Sequence, residues 1–274
     1  MAFTRSDALA AAERSPAAAG ARDKTGWIDL FTADGRVEDP VGSEPHRGLG
    51  AIGRFYDTFI GPRHITYRPD ADIVAGSTVV RDGELDISMG AVALHVPVYI
   101  RYDLQEGGGG LKIAALSAFW ELPAMVGQFL RAGVGGLPAG LALSRALLAN
   151  QGVVGVLGYL GGLRGTGPQG KRRIREFLDD ARAGDEVAVR RWLGKGARVT
   201  TGDELPLTTA DLLARLARAH PRKMIASGYS VVVGLDRDGQ RDVLIADVAA
   251  KPFAIRRIRY FTEATEGTEA TAAG

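Results

Sequence analysis

The chain of 274 residues contains no cysteine, so disulfides and thiolate metal sites are excluded and redox usage says nothing of its compartment. Its four histidines, His46, His64, His95 and His220, lack ligand spacing. Neither a metal nor a cofactor is expected. Aromatic residues amount to only 7% and are not interleaved with basic stripes, which argues against nucleic acid as a partner. The N-terminal MAFTRSDALAAAERSPAAAG lacks the apolar core of a secretory signal, and a cytoplasmic protein is expected. Between Glu121 and Glu176 there is no acidic residue at all.

What is present is an ordinary globular composition, 46% hydrophobic and 24% charged with a net charge of +2. The length suits two domains of roughly 100–150 residues. Residues 1–121 form the first block. An alanine-rich helix is expected at the start, stopped by Pro16 and Gly20. GLGAIGRFYDTFI (48–60) places Ile52, Phe55, Tyr56 and Phe59 at helical spacing. Strand patterns follow at 71–80, 85–95, 97–105 and 111–121. In VYIRYDLQ, Ile100, Tyr102 and Leu104 alternate with Arg101, Asp103 and Gln105, the period of a half-buried strand. Helices followed by a strand meander imply an α+β layer.

Residues 122–170 are an apolar, Gly-rich helical connector. Segment 146–163 comes nearest to a membrane span, but Asn150, Gln151 and its glycines weaken it. Short helices lying on a surface fit better, and that surface is either the neighbouring domain or a membrane interface met through 122–175.

Residues 171–264 repeat the logic of the first block. KRRIREFLDDARAGDEVAVRRWL is helical, with Ile174, Phe177, Leu178, Val187 and Leu193 available for burial; strands are expected at 225–235, 241–249 and 253–262. DGRVEDPVGSEP (34–45) aligns with GARVTTGDELPL (196–207), and LSAFWE (116–121) with IRYFTE (258–263). A degenerate second copy of the same fold is expected, paired with the first within the chain or as a homodimer. Residues 265–274 read as a loose polar tail.

The stretch VEDPVGSEPH (37–46) poses the functional question. Turns collect Asp, Gly and Pro for local reasons, yet Pro40 also holds the preceding residue extended and fixes where Asp39 points. On an extended strand Glu38 faces the other way and should be solvated. His46 is expected to be exposed.

The run LFTADGRVEDPVGSEPHRGLGAIGRFYDTFI (30–60), with FWE at 119–121, resembles the Δ5-3-ketosteroid isomerases of the nuclear-transport-factor-2-like (SnoaL-like) superfamily. The resemblance covers roughly residues 20–121. It implies a cone-shaped, curved antiparallel sheet wrapped around helices, with an apolar cavity at its mouth, present twice in this chain. It implies that Asp39 is a general base shifting a double bond in a steroid-like ketone. The family's oxyanion tyrosine falls on Ser15, so that phenol is missing. Counting without a gap puts Asp103 at the family's protonated aspartate, whereas strand alternation puts Ile100 there and turns Asp103 outward. Alternation is the stronger constraint, since a one-residue slip would expose Ile100, Tyr102 and Leu104 together.

Asp39 and Tyr56 are therefore the candidate catalytic residues, and Phe55, Tyr102, Phe119 and Trp120 the candidate substrate contacts. The ligand expected is a hydrophobic small molecule. The alternative reading is a sterol- or lipid-binding protein without turnover, membrane-associated through 122–165.

Overall fold

The computed structural model describes residues 3–90, 92–131, 141, 145, 149–150 and 164–263. The first half comprises α1 (Arg5–Ala21), α2 (Lys24–Ile28), β1 (Phe31–Glu38), β2 (His46–Arg47), α3 (Gly48–Phe55) and a π-helical turn (Tyr56–Ile60). The meander β3 (His64–Ala75), β4 (Thr78–Met89), β5 (Val92–Gly107) and β6 (Gly110–Phe119) completes it. Helices α4 (Leu122–Arg131) and α5 (Gly167–Arg182) follow. The second half contains α6 (Glu186–Trp192), β7 (Leu193–Thr201), β8 (Leu205–Pro206) and α7 (Thr209–Leu216). It ends in β9 (Ala219–Ser227), β10 (Ser230–Arg237), β11 (Gln240–Ala250) and β12 (Phe253–Phe261). Most of the expected connector and the tail lie outside the described residues. No described helix is long and apolar enough to cross a membrane.

Helix α1 starts at a capping box in which Thr4 and Asp7 satisfy each other's backbone N–H groups. It does not stop at Pro16 as expected. An interior proline costs about 3 kcal/mol, but Ala8, Ala11, Ala12, Ser15 and Ala19 form a buried stripe whose packing carries the helix on to Arg22, left-handed at φ 57°. The expected strand 71–80 also straddles a turn, because Gly76 takes φ +57° and reverses the chain between β3 and β4. Val187 is exposed, and Val189 is the α6 residue that is buried.

The first sheet has the order β2-β1-β6-β5-β4-β3 and the second β8-β7-β12-β11-β10-β9. This overturns the cone-shaped antiparallel sheet expected from the sequence. Each sheet is mixed, since β1 runs parallel to β6 and β7 parallel to β12, and each is open, neither closed nor strongly curled. Closure would need the two edge strands to meet. Edge strand β2 has only two residues between Pro45 and the start of α3, which leaves no ladder to extend.

Duplication is written in the pairing. From Phe31 opposite Ile113, β1 advances five residues to Arg36 while β6 advances two to Ala115. From Leu193 opposite Ile255, β7 advances five to Arg198 while β12 advances two to Arg257. The same irregularity at the same place sets the two halves in register and puts Thr201 where Asp39 stands.

Helices cover one face of each sheet, building one core around Trp27, Ile52, Phe55 and Tyr102 and another around Ile174, Phe177, Leu212 and Tyr260. The opposite faces pack on each other through Ile73, Val80, Tyr99, Phe119, Ile225, Val232, Val243, Ile245 and Phe261. The result is four layers, helices–sheet–sheet–helices. The middle of β5, Val98–Tyr102, is consequently buried on both faces. Ile100, Tyr102 and Leu104 point to the helices, as alternation requires, while Tyr99 and Arg101 point to the other sheet and Asp103 turns outward to pair with Arg101 at 2.7 Å. At this junction Lys223 Nζ donates to Gly83 O (2.7 Å) and Val98 O (3.0 Å) and pairs with buried Asp82.

Candidate functional site

Asp39 comes directly after β1, where Glu38 lies opposite Ser117 of β6. The parallel pairing runs both chains the same way, so Trp120, just past β6, arrives beside Asp39. The indole Nε1 donates to Asp39 Oδ1 at 2.5 Å. Among the described residues the second carboxylate oxygen has no hydrogen bond.

The turn carrying Asp39 is fixed from several sides. The Asp39–Pro40 peptide is cis. Val41 N–H donates to Ala118 O at 2.8 Å, and Ser43 Oγ to Pro40 O at 2.7 Å. Glu38, expected to be solvated, is half-buried and accepts the Gly42 N–H at 2.9 Å. The second half then grips this turn. Ser227 Oγ donates to Val41 O at 2.8 Å. Gly42 (φ +99°) meets Gly228 (φ +55°) so closely that a Cβ on Gly42 would lie 2.5 Å from the Gly228 Cα. Glu121, next to Trp120, accepts the Ala226 N–H at 3.1 Å and pairs with Lys171 at 2.6 Å. Asp39 and Trp120 are each anchored across the junction between the halves.

Asp39 forms the polar end of a cavity of about 90 Å³, several times the roughly 10–15 Å³ that one water needs. Its walls are Phe55, Phe59 and Ile60 from α3 and the π turn, Leu85, Ile87 and Met89 from β4, and Leu94 and Val96 from β5. Met125 of α4 closes over it, and α4 is held by Gln128, which exchanges hydrogen bonds with the His95 backbone. Besides Asp39 and Trp120, the polar side chain of this lining is Arg63, whose Nη1 donates to Thr58 O at 2.6 Å. Burial in these apolar walls pushes the Asp39 carboxyl up from 3.8 to about 6, and the indole N–H, which favours the charged form, only partly opposes it.

Of the six residues singled out from the sequence, the structure brings Asp39, Phe55 and Trp120 together around this cavity. Trp120 meets Asp39 as a hydrogen-bond donor. Tyr56 packs against Trp27 with ring centroids 5.5 Å apart, and its buried hydroxyl has no partner among the described residues. Tyr102 is buried against α1, bonded to Ser15, and burial pushes its phenol up to about 12. Phe119 lies on the opposite face of the sheet, against the second half. His46, expected to be exposed, is half-buried with its ring 5.1 Å from that of Phe55, and burial lowers its pKa. Sequence reasoning missed Arg63, Met125 and the β4 and β5 walls. Their alternation was visible, but strand boundaries displaced by several residues hid which side chains share a face.

Residues 12–115 match the SnoaL-like domain family. Among solved structures, the chain is similar to RV0760c from Mycobacterium tuberculosis at 25% identity, over 44% of this chain and 96% of that one, with a TM-score of 0.41. It is similar to Delta 5-3-ketosteroid isomerase from Mycobacterium sp. at 26% identity, over 43% and 96%, with a TM-score of 0.40. A LEH-like epoxide hydrolase of M. tuberculosis is similar at 18% identity, over 50% and 96%, with a TM-score of 0.41. The similarity is at the level of the nuclear-transport-factor-2-like, SnoaL-like superfamily.

Proposed function

We propose that the first half is an isomerase-like catalyst that uses Asp39 as a general base on an apolar, enolisable ketone of steroid-like class. The observation that carries this reading is a half-buried carboxylate, poised near pH 6, with one oxygen fixed by Trp120 and the other without a hydrogen bond among the described residues, at the end of an apolar cavity. At pH 7 about nine-tenths of such a group is ionised, and a base whose pKa lies near the working pH is the efficient one. Asp39 would take a proton from the carbon next to the carbonyl and return it further along the conjugated system. Among the described lining residues Arg63, which already donates to Thr58 O and Met89 Sδ, is a further donor near the charge that builds on the carbonyl oxygen.

The test is a steady-state assay with a β,γ-unsaturated 3-ketosteroid. Asp39→Asn should lose at least about a hundredfold in kcat, and the wild-type rate should rise with pH through about 6 as Asp39 ionises. Equal rates from the two proteins would remove Asp39 from the reaction.

One observation favours the alternative of ligand binding without turnover: neither Tyr56 nor Tyr102 is in the cavity lining. Under that reading Asp39→Asn binds the steroid as tightly as the wild type, and neither protein converts it.

A further inference from the structure

The second half has its own cavity at the corresponding place, and its chemistry is reversed. It is open, about 490 Å³, and runs between the end of β7 and helix α7. Register identifies its parts. Thr201, opposite Tyr260, replaces Asp39. The irregularity at Pro69, opposite Gly83 in the first sheet, recurs at Pro221, opposite Leu235 in the second; counted from there, Arg237 stands where Leu85 walls the first cavity. Helix α7 supplies Arg215 and the turn after it Arg218, where α3 and its π turn supply phenylalanines. A mostly apolar chamber with Asp39 and Arg63 has become a more polar one with three arginines and Asp211.

The charges do not cancel within the cavity. Arg237 is committed, its Nε 2.9 Å from buried Asp242, which also accepts from Tyr260 Oη at 2.5 Å. Arg218 reaches Asp238 at 2.9 Å, with both side chains exposed. Asp211, the carboxylate of the lining, is occupied by the Thr208 hydroxyl at 2.6 Å. Arg215 has neither an ion pair nor a hydrogen bond among the described residues. Its guanidinium lies over the Tyr260 ring at 5.3 Å, and its Nη1 is sealed from solvent without a partner. Arg215 nevertheless lines the cavity, and a guanidinium held over an aromatic ring with no carboxylate on it suits a carboxylate or phosphate.

We propose that this second cavity binds a small anion, the carboxylate or phosphate group of a metabolite, through Arg215 with Arg218 at the rim. The site is separate from the Asp39 cavity and stands whether or not Asp39 is a base.

Isothermal titration calorimetry of the full chain with inorganic phosphate and, separately, succinate tests it. At least one anion should bind saturably at one site, and the stronger of the two identifies the group. Arg215→Met, which keeps the stacked bulk, should weaken that binding at least tenfold, and Arg215→Lys should recover part of it. Arg218→Gln, at an exposed side chain, should weaken it about threefold without touching the packing, and Asp39→Asn should leave it unchanged. No saturable binding of either anion by the wild type, or equal binding by wild type and folded Arg215→Met, would overturn the proposal.

Discussion

In the first half, the residue after the leading strand is Asp39, backed by the indole of Trp120 and walled by Phe55 and Leu85. In the second, the same positions hold Thr201 and Thr262, and the walls carry Arg215 and Arg237. Strand order, pairing irregularities and helix placement are shared. Backbone architecture tolerates either chemistry, even though part of the first lining, Phe55, Leu94 and Val96, also belongs to the helix–sheet core. Function in such a fold is decided by a few side chains at the cavity. The second copy has a different task in the first: it holds the turn beneath Asp39.

That comparison can be broken most severely at the glycine contact. Gly228→Ala puts a Cβ 2.7 Å from the Gly42 Cα in a left-handed conformation. It should cost about 2–4 kcal/mol in urea unfolding and lower turnover by loosening the Asp39 turn. Gly76→Ala shares the positive φ but meets nothing within 4 Å, and should cost only about 1 kcal/mol. Equal losses would show that the two halves do not press together at this point.

The second effect concerns pH. The folded-state pKa of Asp39, about 6, lies above the ordinary 3.8, so the folded protein holds this proton more tightly than the unfolded chain. The stabilisation is complete below about pH 4 and is lost as pH rises through 6. Asp39→Asn should therefore be the more stable protein at pH 7, by about 1–3 kcal/mol, with the gap shrinking towards pH 4. A gap independent of pH would mean that Asp39 is not buried as described. Thr201, uncharged, predicts no such term for Thr201→Val.

The smallest effect sharpens the role of Trp120. Its N–H favours the ionised carboxylate, so Trp120→Phe should move the Asp39 pKa upward by up to about one unit, as loss of one hydrogen bond to a charged group suggests. Carboxyl-resolved NMR titration reads this directly, and an unchanged or lower value would deny the indole that role.

Much of this was legible in the sequence. VEDP pointed to Asp39, FWE brought Trp120 forward but also Phe119, which faces the second sheet, and the alignment of DGRVEDP with GARVTTG placed Thr201 opposite Asp39. Alternation in VYIRYDLQ put Ile100, Tyr102 and Leu104 on the inner face. The open sheets were not legible, because closure depends on how far β2 extends, and two residues beside a proline give no periodic signal. Pro16 misled because packing against the sheet outweighs one lost hydrogen bond. The arginine cavity was invisible for a topological reason. Arg215 and Arg218 lie about twenty residues from Arg237 in sequence, and only the fold of the sheet brings the three together.

The grip of Ser227 and Gly228 on the Asp39 turn has a consequence for dilution. Where a supporting sheet comes from a separate subunit, its occupancy follows protein concentration. Here the support is tethered to what it supports, at an effective concentration set by the intervening chain. The geometry around Asp39 should therefore be the same at nanomolar as at micromolar protein.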